Sequence, residues 1–127
     1  MNPRQIGLKN QKRSVQFILR NEHKYGLSSE RQFLKSGKCV LSSDRIHNVG
    51  VGHFQGDLFG RFDIMTMPYG NEYPIYLVQV KSKSFSLSKT ADLDYFNELS
   101  SFQVPDGVIK ELHIWQDHLQ TPKIITL

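Results

Sequence analysis

The spacing of apolar residues changes period along the chain, and the changes mark out its elements. Leu8, Val15, Ile18 and Leu19 recur at helical spacing over about residues 9–24, and Tyr25-Gly26 supplies the stop. Gln11 falls on that same apolar face, between Leu8 and Val15. Ser29, then ERQFLKS and Gly37, has the N-cap and the terminal glycine of a short second helix. Residues 38–41 read as a short strand. Residues 62–67 and 75–81 are apolar runs of strand length, and PYGNEYP between them punctuates a turn, which predicts an antiparallel hairpin. Leu93, Phe96, Leu99 and Phe102 restore helical spacing over about residues 88–102 and are expected to form a buried stripe; Pro105-Asp106-Gly107 ends it. Residues 108–115 and 123–127 close the chain as strands separated by QDHLQTP. The order α-β-β-β-α-β-β predicts an α/β fold with a central mixed sheet flanked by helices.

Composition narrows the class. The chain has 127 residues, enough for a single domain with one core, and its 39% hydrophobic and 22% charged content is that of a globular protein. No apolar run is long enough to cross a bilayer, and MNPRQIGLKNQKR lacks the apolar segment of a signal peptide. The lone Cys39 has no partner within the chain, and no Cys/His spacing suggests zinc. An intracellular location (cytoplasm or nucleoid), away from any membrane, is expected. The net charge of +4 is unevenly spread. Residues 1–38 hold nine Lys or Arg and two acids, a formal +7, whereas the remainder holds seven basic and ten acidic residues, a formal −3. That polarity suits contact with a polyanion through the first third of the chain, and equally suits a solvated basic helix face.

Between residues 42 and 61 the sequence SSDRIHNVGVGHFQGDLFGR reads as a loop with glycines at 50, 52, 56 and 60, in neither a P-loop nor a dinucleotide pattern. His47 and His53 lie there, where a histidine could touch phosphate. His113 and His118 are expected at the surface near the closing strands, and Trp115 in the core. No Ser, His and acid spacing suggests a hydrolytic triad.

The informative stretch is FDIMTMPYGNEYPIYLVQVKS, residues 62–82. Asp63 heads one apolar run, and Gln79 and Lys81 sit two apart near the end of the next, so both point to one face of a strand. A buried lysine needs a partner or access to water. One reading is structural: a Lys81–Asp63 ion pair, with Gln79 bonded to backbone. The other is chemical. Magnesium takes oxygen ligands and keeps several waters, so one or two carboxylates suffice. Asp63 could hold it, with the side-chain carbonyl of Gln79 or the backbone carbonyl of Val80 as a second oxygen. Lys81 would then stabilise the charge that develops on a phosphate under attack.

Asp63, followed after fifteen residues by Gln79-Val80-Lys81 at the end of an apolar strand, resembles the PD-(D/E)xK nuclease superfamily. Gly60-Arg61-Phe62-Asp63-Ile64 is similar to the approach to that family's aspartate, and Tyr76-Leu77-Val78 to its hydrophobic strand. The resemblance implies a restriction-endonuclease-like fold and a Mg²⁺-dependent DNA endonuclease, with Mn²⁺ able to substitute. Asp63, Gln79, Lys81 and Gln11 would be the catalytic set, and Asp63, Gln79, Val80 and Asp57 the metal set. Lys9, Lys12, Arg13, Arg20, His53 and Lys83 would contact DNA. Small size is similar to that of archaeal Holliday-junction resolvases, which implies branched or junction DNA as substrate and a homodimer for two symmetric cuts. Gln79 matches the Q-x-K variant of Mrr-like members, and Gln11 stands where resolvase-like members carry a first-helix glutamate. Those two amides motivate the alternative of a nucleic-acid-binding module with weakened or lost catalysis.

Overall fold

The structure, a computed structural model, describes residues 2–27, 40–42, 61–68 and 72–127, the segment 40–42 as backbone only. The chain opens with α1 (Pro3–Arg20) and a single turn α2 (Glu22–Tyr25). Three strands follow, β1 (Val40–Ser42), β2 (Ile64–Thr66) and β3 (Ile75–Ser82). A helix α3 (Thr90–Ser101) leads to β4 (Val108–Trp115) and β5 (Lys123–Thr126). The expected order holds, and the first helix starts six residues earlier than its apolar spacing indicates. The cause is local. Asn2 and Gln5 form a reciprocal capping box and Pro3 sits in the first turn, so the amino end is closed without any apolar contact. At the other end Gly26 adopts φ 68°, the left-handed conformation that stops α2. The expected helix near residues 29–37 lies outside the described residues.

The five strands lie in the order β1-β2-β3-β4-β5. β1–β2, β2–β3 and β4–β5 are antiparallel, and β3–β4 is parallel with Gln79 opposite Leu112. The hairpin expected between β2 and β3 is present, and the parallel pair needs the crossover that α3 supplies. Because both faces of β3 are covered, its sequence IYLVQVKS is almost continuously apolar instead of alternating.

Alternation then sorts the two layers. Tyr76, Val78 and Val80 of β3 pack with Ile64, Trp115 and the helix residues Val15, Phe17, Ile18 and Tyr25, under α1 and α2. Leu77 faces the other way, toward Phe62 and Leu99, with Tyr95 of α3 and Phe102 just after that helix against them. Gln79 and Lys81 share this second face by register. Of the stripe expected on α3, Leu99 is buried but Leu93 is 41% exposed. Steps of three residues drift about 60° around a helix, so Leu93 is carried well away from the arc occupied by Tyr95, Phe96, Leu99 and Phe102. The carboxyl end of α3 is tied by Lys110 of β4, whose ammonium donates to the carbonyls of Leu99, Ser100 and Phe102 at 2.8, 2.8 and 2.6 Å. A cation at that end also opposes the negative pole of the helix dipole. Burial lowers the pKa of this lysine.

Candidate functional site

Asp63 sits one residue before β2, and its amide donates to the Val78 carbonyl of β3 at 2.9 Å. This places its carboxylate beside the second half of β3. Oδ2 accepts from the Val80 amide at 2.9 Å, and Oδ1 accepts from Nε2 of Gln11, on α1, at 3.2 Å. Asp63 and Gln79 are both 5% exposed. One amide atom of Gln79 lies 3.1 Å from Asp63 Oδ2 and 2.8 Å from the Arg61 carbonyl oxygen; the other lies 2.8 Å from the Tyr95 hydroxyl. With nitrogen on the Asp63 side, every one of these neighbours is a hydrogen-bond partner. The ammonium of Lys81 lies over the ring of Tyr95, 4.2 Å from its centroid. One turn further along α3, Glu98 pairs with Arg61 at 2.6 Å.

The structure therefore brings together Asp63, Gln79, Val80 and Gln11, with Lys81 joined to them through Tyr95. Sequence alone did not single out Tyr95 and Arg61, although Tyr95 stands on the same helical arc as Leu99. Asp57 and His53, with His47, lie outside the described residues.

For a divalent ion the donor set here is sparse, one carboxylate and one amide, each 5% exposed. Among the described residues no group of three or more His, Cys, Asp or Glu gathers, so a site for a soft metal is not built from them. A hard cation needs only oxygens. Asp63 offers one carboxylate, and Gln79 offers an amide oxygen in the same place as its nitrogen once the amide is turned over. On that count these residues fit Mg²⁺ or Mn²⁺.

The basic residues of α1 lie elsewhere on the helix. A groove of about 740 Å³ runs between α1 and the β4–β5 connection, lined by Lys9, Lys12, Arg13, Arg20, Asp117 and His118 among others. A second cavity of about 500 Å³ shares Lys9, Arg13, Asp117 and His118 with it and adds Ser82, Lys83 and Ser84 at the end of β3. Neither is lined by Asp63 or Gln79, but the second begins one residue beyond Lys81. Not all the cations in this trough face outward. Arg13 donates to the carbonyls of Gln116 and Leu119 at 2.9 and 2.7 Å and stacks over Trp115, so it fastens α1 to the β4–β5 connection. Lys83 is ion-paired with Asp117 on the surface. That lysine, with the nearby His118 and Lys9, keeps the Asp117 carboxyl below its usual range.

The opposite face of the sheet holds a buried polar chain that sequence reading missed. His113, expected at the surface, is fully buried, while Trp115 is core as expected. Trp115 Nε1 donates to Ser14 Oγ at 2.6 Å, and His113 Nδ1 lies 3.1 Å from the same hydroxyl; because His113 Nε2 faces the Glu111 carboxylate, it carries the ring proton and Nδ1 accepts from Ser14. Burial favours the neutral ring, whose Nε2 proton is donated to Glu111 Oε1 at 3.1 Å. Tyr25 donates to the same oxygen at 2.8 Å, and Lys24 reaches Oε2 at 2.8 Å. Burial lowers the pKa of His113 more than the neighbouring carboxylate raises it. Burial pushes Glu111 up, but hydrogen bonds from His113, Lys24 and Tyr25 outweigh it and hold the carboxyl below its ordinary value. Burial, then Glu111, raises the Tyr25 phenol. The Ser14, His113 and Glu111 sequence has the members of a hydrolytic triad, but Ser14 is fully buried and meets no substrate. Its role is to clamp α1 to β4, one turn from Gln11.

No protein-family model matches the chain, and neither does any curated protein or solved structure. What the chain does therefore rests on its own residues. They define an α/β protein with a mixed sheet between helices and a buried polar site at the junction of α1, β2, β3 and α3.

Proposed function

We propose that this chain is a divalent-ion-dependent DNA endonuclease on a restriction-endonuclease-like fold. The reading is carried by one observation: Asp63, Gln79 and Gln11 converge at adjoining parts of β2, β3 and α1, with Lys81 two residues beyond Gln79 on the same face. Asp63 and Gln79 would hold Mg²⁺ or Mn²⁺, with the Val80 carbonyl as a further oxygen. The ion, when bound, neutralises phosphate charge and lowers the pKa of a water. The chain's own groups do the rest. Gln11 and the Val80 amide fix the orientation of the Asp63 carboxylate. Tyr95 holds the Lys81 ammonium by its ring, so a cation is kept where charge builds up on a phosphate.

Lys9, Lys12 and Arg20 would follow the DNA backbone along the groove beside α1. Arg13 sets the wall of that groove more than it offers charge, because carbonyls already take its donors. Breaking the surface Lys83–Asp117 pair would release a further cation at the end of β3. Branched DNA is the preferred substrate and a homodimer the active form, since resolving a junction takes two symmetric cuts.

One observation favours a second reading, a binding module without cleavage. In the orientation that satisfies Gln79, N–H donors of Gln11, Val80 and Gln79 surround Asp63, so the carboxylate is stable without an ion. Purified protein mixed with branched and linear DNA, in Mg²⁺, Mn²⁺ or chelator, separates the two. Cleavage that needs the ion and disappears in Asp63→Ala and Lys81→Ala is expected. Binding with no ion-dependent nicking, unchanged by either substitution, would leave the binding module.

A further inference from the structure

We propose that the Gln79 amide is a two-position switch latched by Tyr95, and that turning it over brings the main-chain carbonyl of Arg61 into the ion site; this rests on Asp63 being an ion ligand. The inner amide atom of Gln79 is 3.1 Å from Asp63 Oδ2 and 2.8 Å from the Arg61 oxygen. Nitrogen there makes two hydrogen bonds. Oxygen there makes three oxygens meet, which is repulsive unless a cation lies between them. The two separations from that atom, 3.1 and 2.8 Å, are close to the separation of about 2.9 Å between ligands at right angles about an ion 2.0–2.1 Å away. A glutamate could not switch in this way, since its two ends are alike.

Tyr95 makes the reversal possible. Its hydroxyl lies 2.8 Å from the outer amide atom and can donate to oxygen or accept from nitrogen, so neither state leaves a buried orphan at that end. A phenol is the better donor, so the hydroxyl favours the ion-free orientation. Tyr95 is therefore a positioning residue, and ion binding and amide orientation are coupled reciprocally.

The test is ion binding, with no DNA present. Titrate Mn²⁺ into the wild type, Tyr95→Phe, Gln79→Glu and the double variant, following free Mn²⁺ by electron paramagnetic resonance. The hydroxyl bonds both states but the ion-free one more strongly, so losing that difference, a fraction of one neutral hydrogen bond, should tighten Mn²⁺ about twofold to threefold in Tyr95→Phe. In the Gln79→Glu background the same tyrosine substitution should bring no tightening. In parallel, Mg²⁺ should shift the side-chain amide signals of Gln79 in a ¹H–¹⁵N spectrum of the wild type, assigned by their loss in Gln79→Glu. Ion binding that leaves those signals in place, or equal affinities in wild type and Tyr95→Phe, overturns the switch while sparing the ion site. Failure of both the wild type and Gln79→Glu to bind Mn²⁺ overturns the ion site and the switch with it.

Discussion

Replacing Glu111 with alanine should cost about 3–5 kcal/mol of stability, because the substitution strands a buried cluster built around that carboxylate. Glu111 is 1% exposed and accepts from Tyr25, His113 and Lys24. Lys24 is 38% exposed, so its ammonium swings into water when the carboxylate goes, and its ion pair contributes little to the loss. Tyr25 and His113 have no such escape, since both are fully buried. A stranded buried donor costs about 1–3 kcal/mol, and two of them account for most of the expected figure. Glu111→Gln keeps an acceptor for Tyr25 and His113 and should cost less than half as much. Small domains have about 5–15 kcal/mol in total, so the alanine variant should sit near its unfolding threshold at 37 °C. Urea titration by circular dichroism, with the slope of the transition unchanged, measures the difference. A loss under about 1 kcal/mol for Glu111→Ala would refute the hydrogen-bond assignment, as would equal losses for the two variants.

The same cluster sets a pH window. The folded protein keeps His113 neutral below its ordinary value of 6.5 and holds Glu111 ionised below its ordinary 4.5, so at acid pH the unfolded chain binds more protons. It keeps the Tyr25 phenol protonated above its ordinary 10.0, so at alkaline pH the folded chain binds more. Stability should fall as pH drops below about 6.5 and again as it rises past about 10, and thermal melts across that range check both limbs. Lys110→Met, which removes the tie on three α3 carbonyls, should cost about 2–3 kcal/mol by the same urea assay. Neutralising Lys9, Lys12 and Arg20 together should weaken DNA binding. It should also flatten the slope of log affinity against log salt by about 0.9 for each phosphate no longer neutralised, whereas Arg13→Gln should chiefly lower the melting temperature.

The strands and α3 were legible because turn residues bracket them: PYGNEYP before β3, Pro105-Asp106-Gly107 before β4, QDHLQTP before β5. The pairing of Asp63 with the Gln79 end of β3 followed from hairpin register and side-chain alternation, and β2–β3 pairing agrees with it. Applied to β4, alternation would also have found Glu111 and His113, two apart on one face as Gln79 and Lys81 are. Reading β4 only as a closing strand left His113 at the surface instead. Leu93 falls off the buried arc because a run of three-residue steps does not stay on one face of a helix. The work of Arg13 could not be read at all, since its partners, Gln116 and Leu119, are carbonyls more than a hundred positions away. Tyr95 was likewise hidden: a tyrosine on an apolar arc carries no sequence sign that its hydroxyl meets an amide on a strand.

Whether Asp63 holds a divalent ion is answered most directly by anomalous X-ray scattering from crystals soaked in Mn²⁺. One peak is predicted about 2.1 Å from Asp63 Oδ2, with the Gln79 amide oxygen and the Arg61 and Val80 carbonyls in its shell and Lys81 beyond it. Density with no peak there at millimolar Mn²⁺, the Gln79 nitrogen still bonded to Asp63, would contradict it.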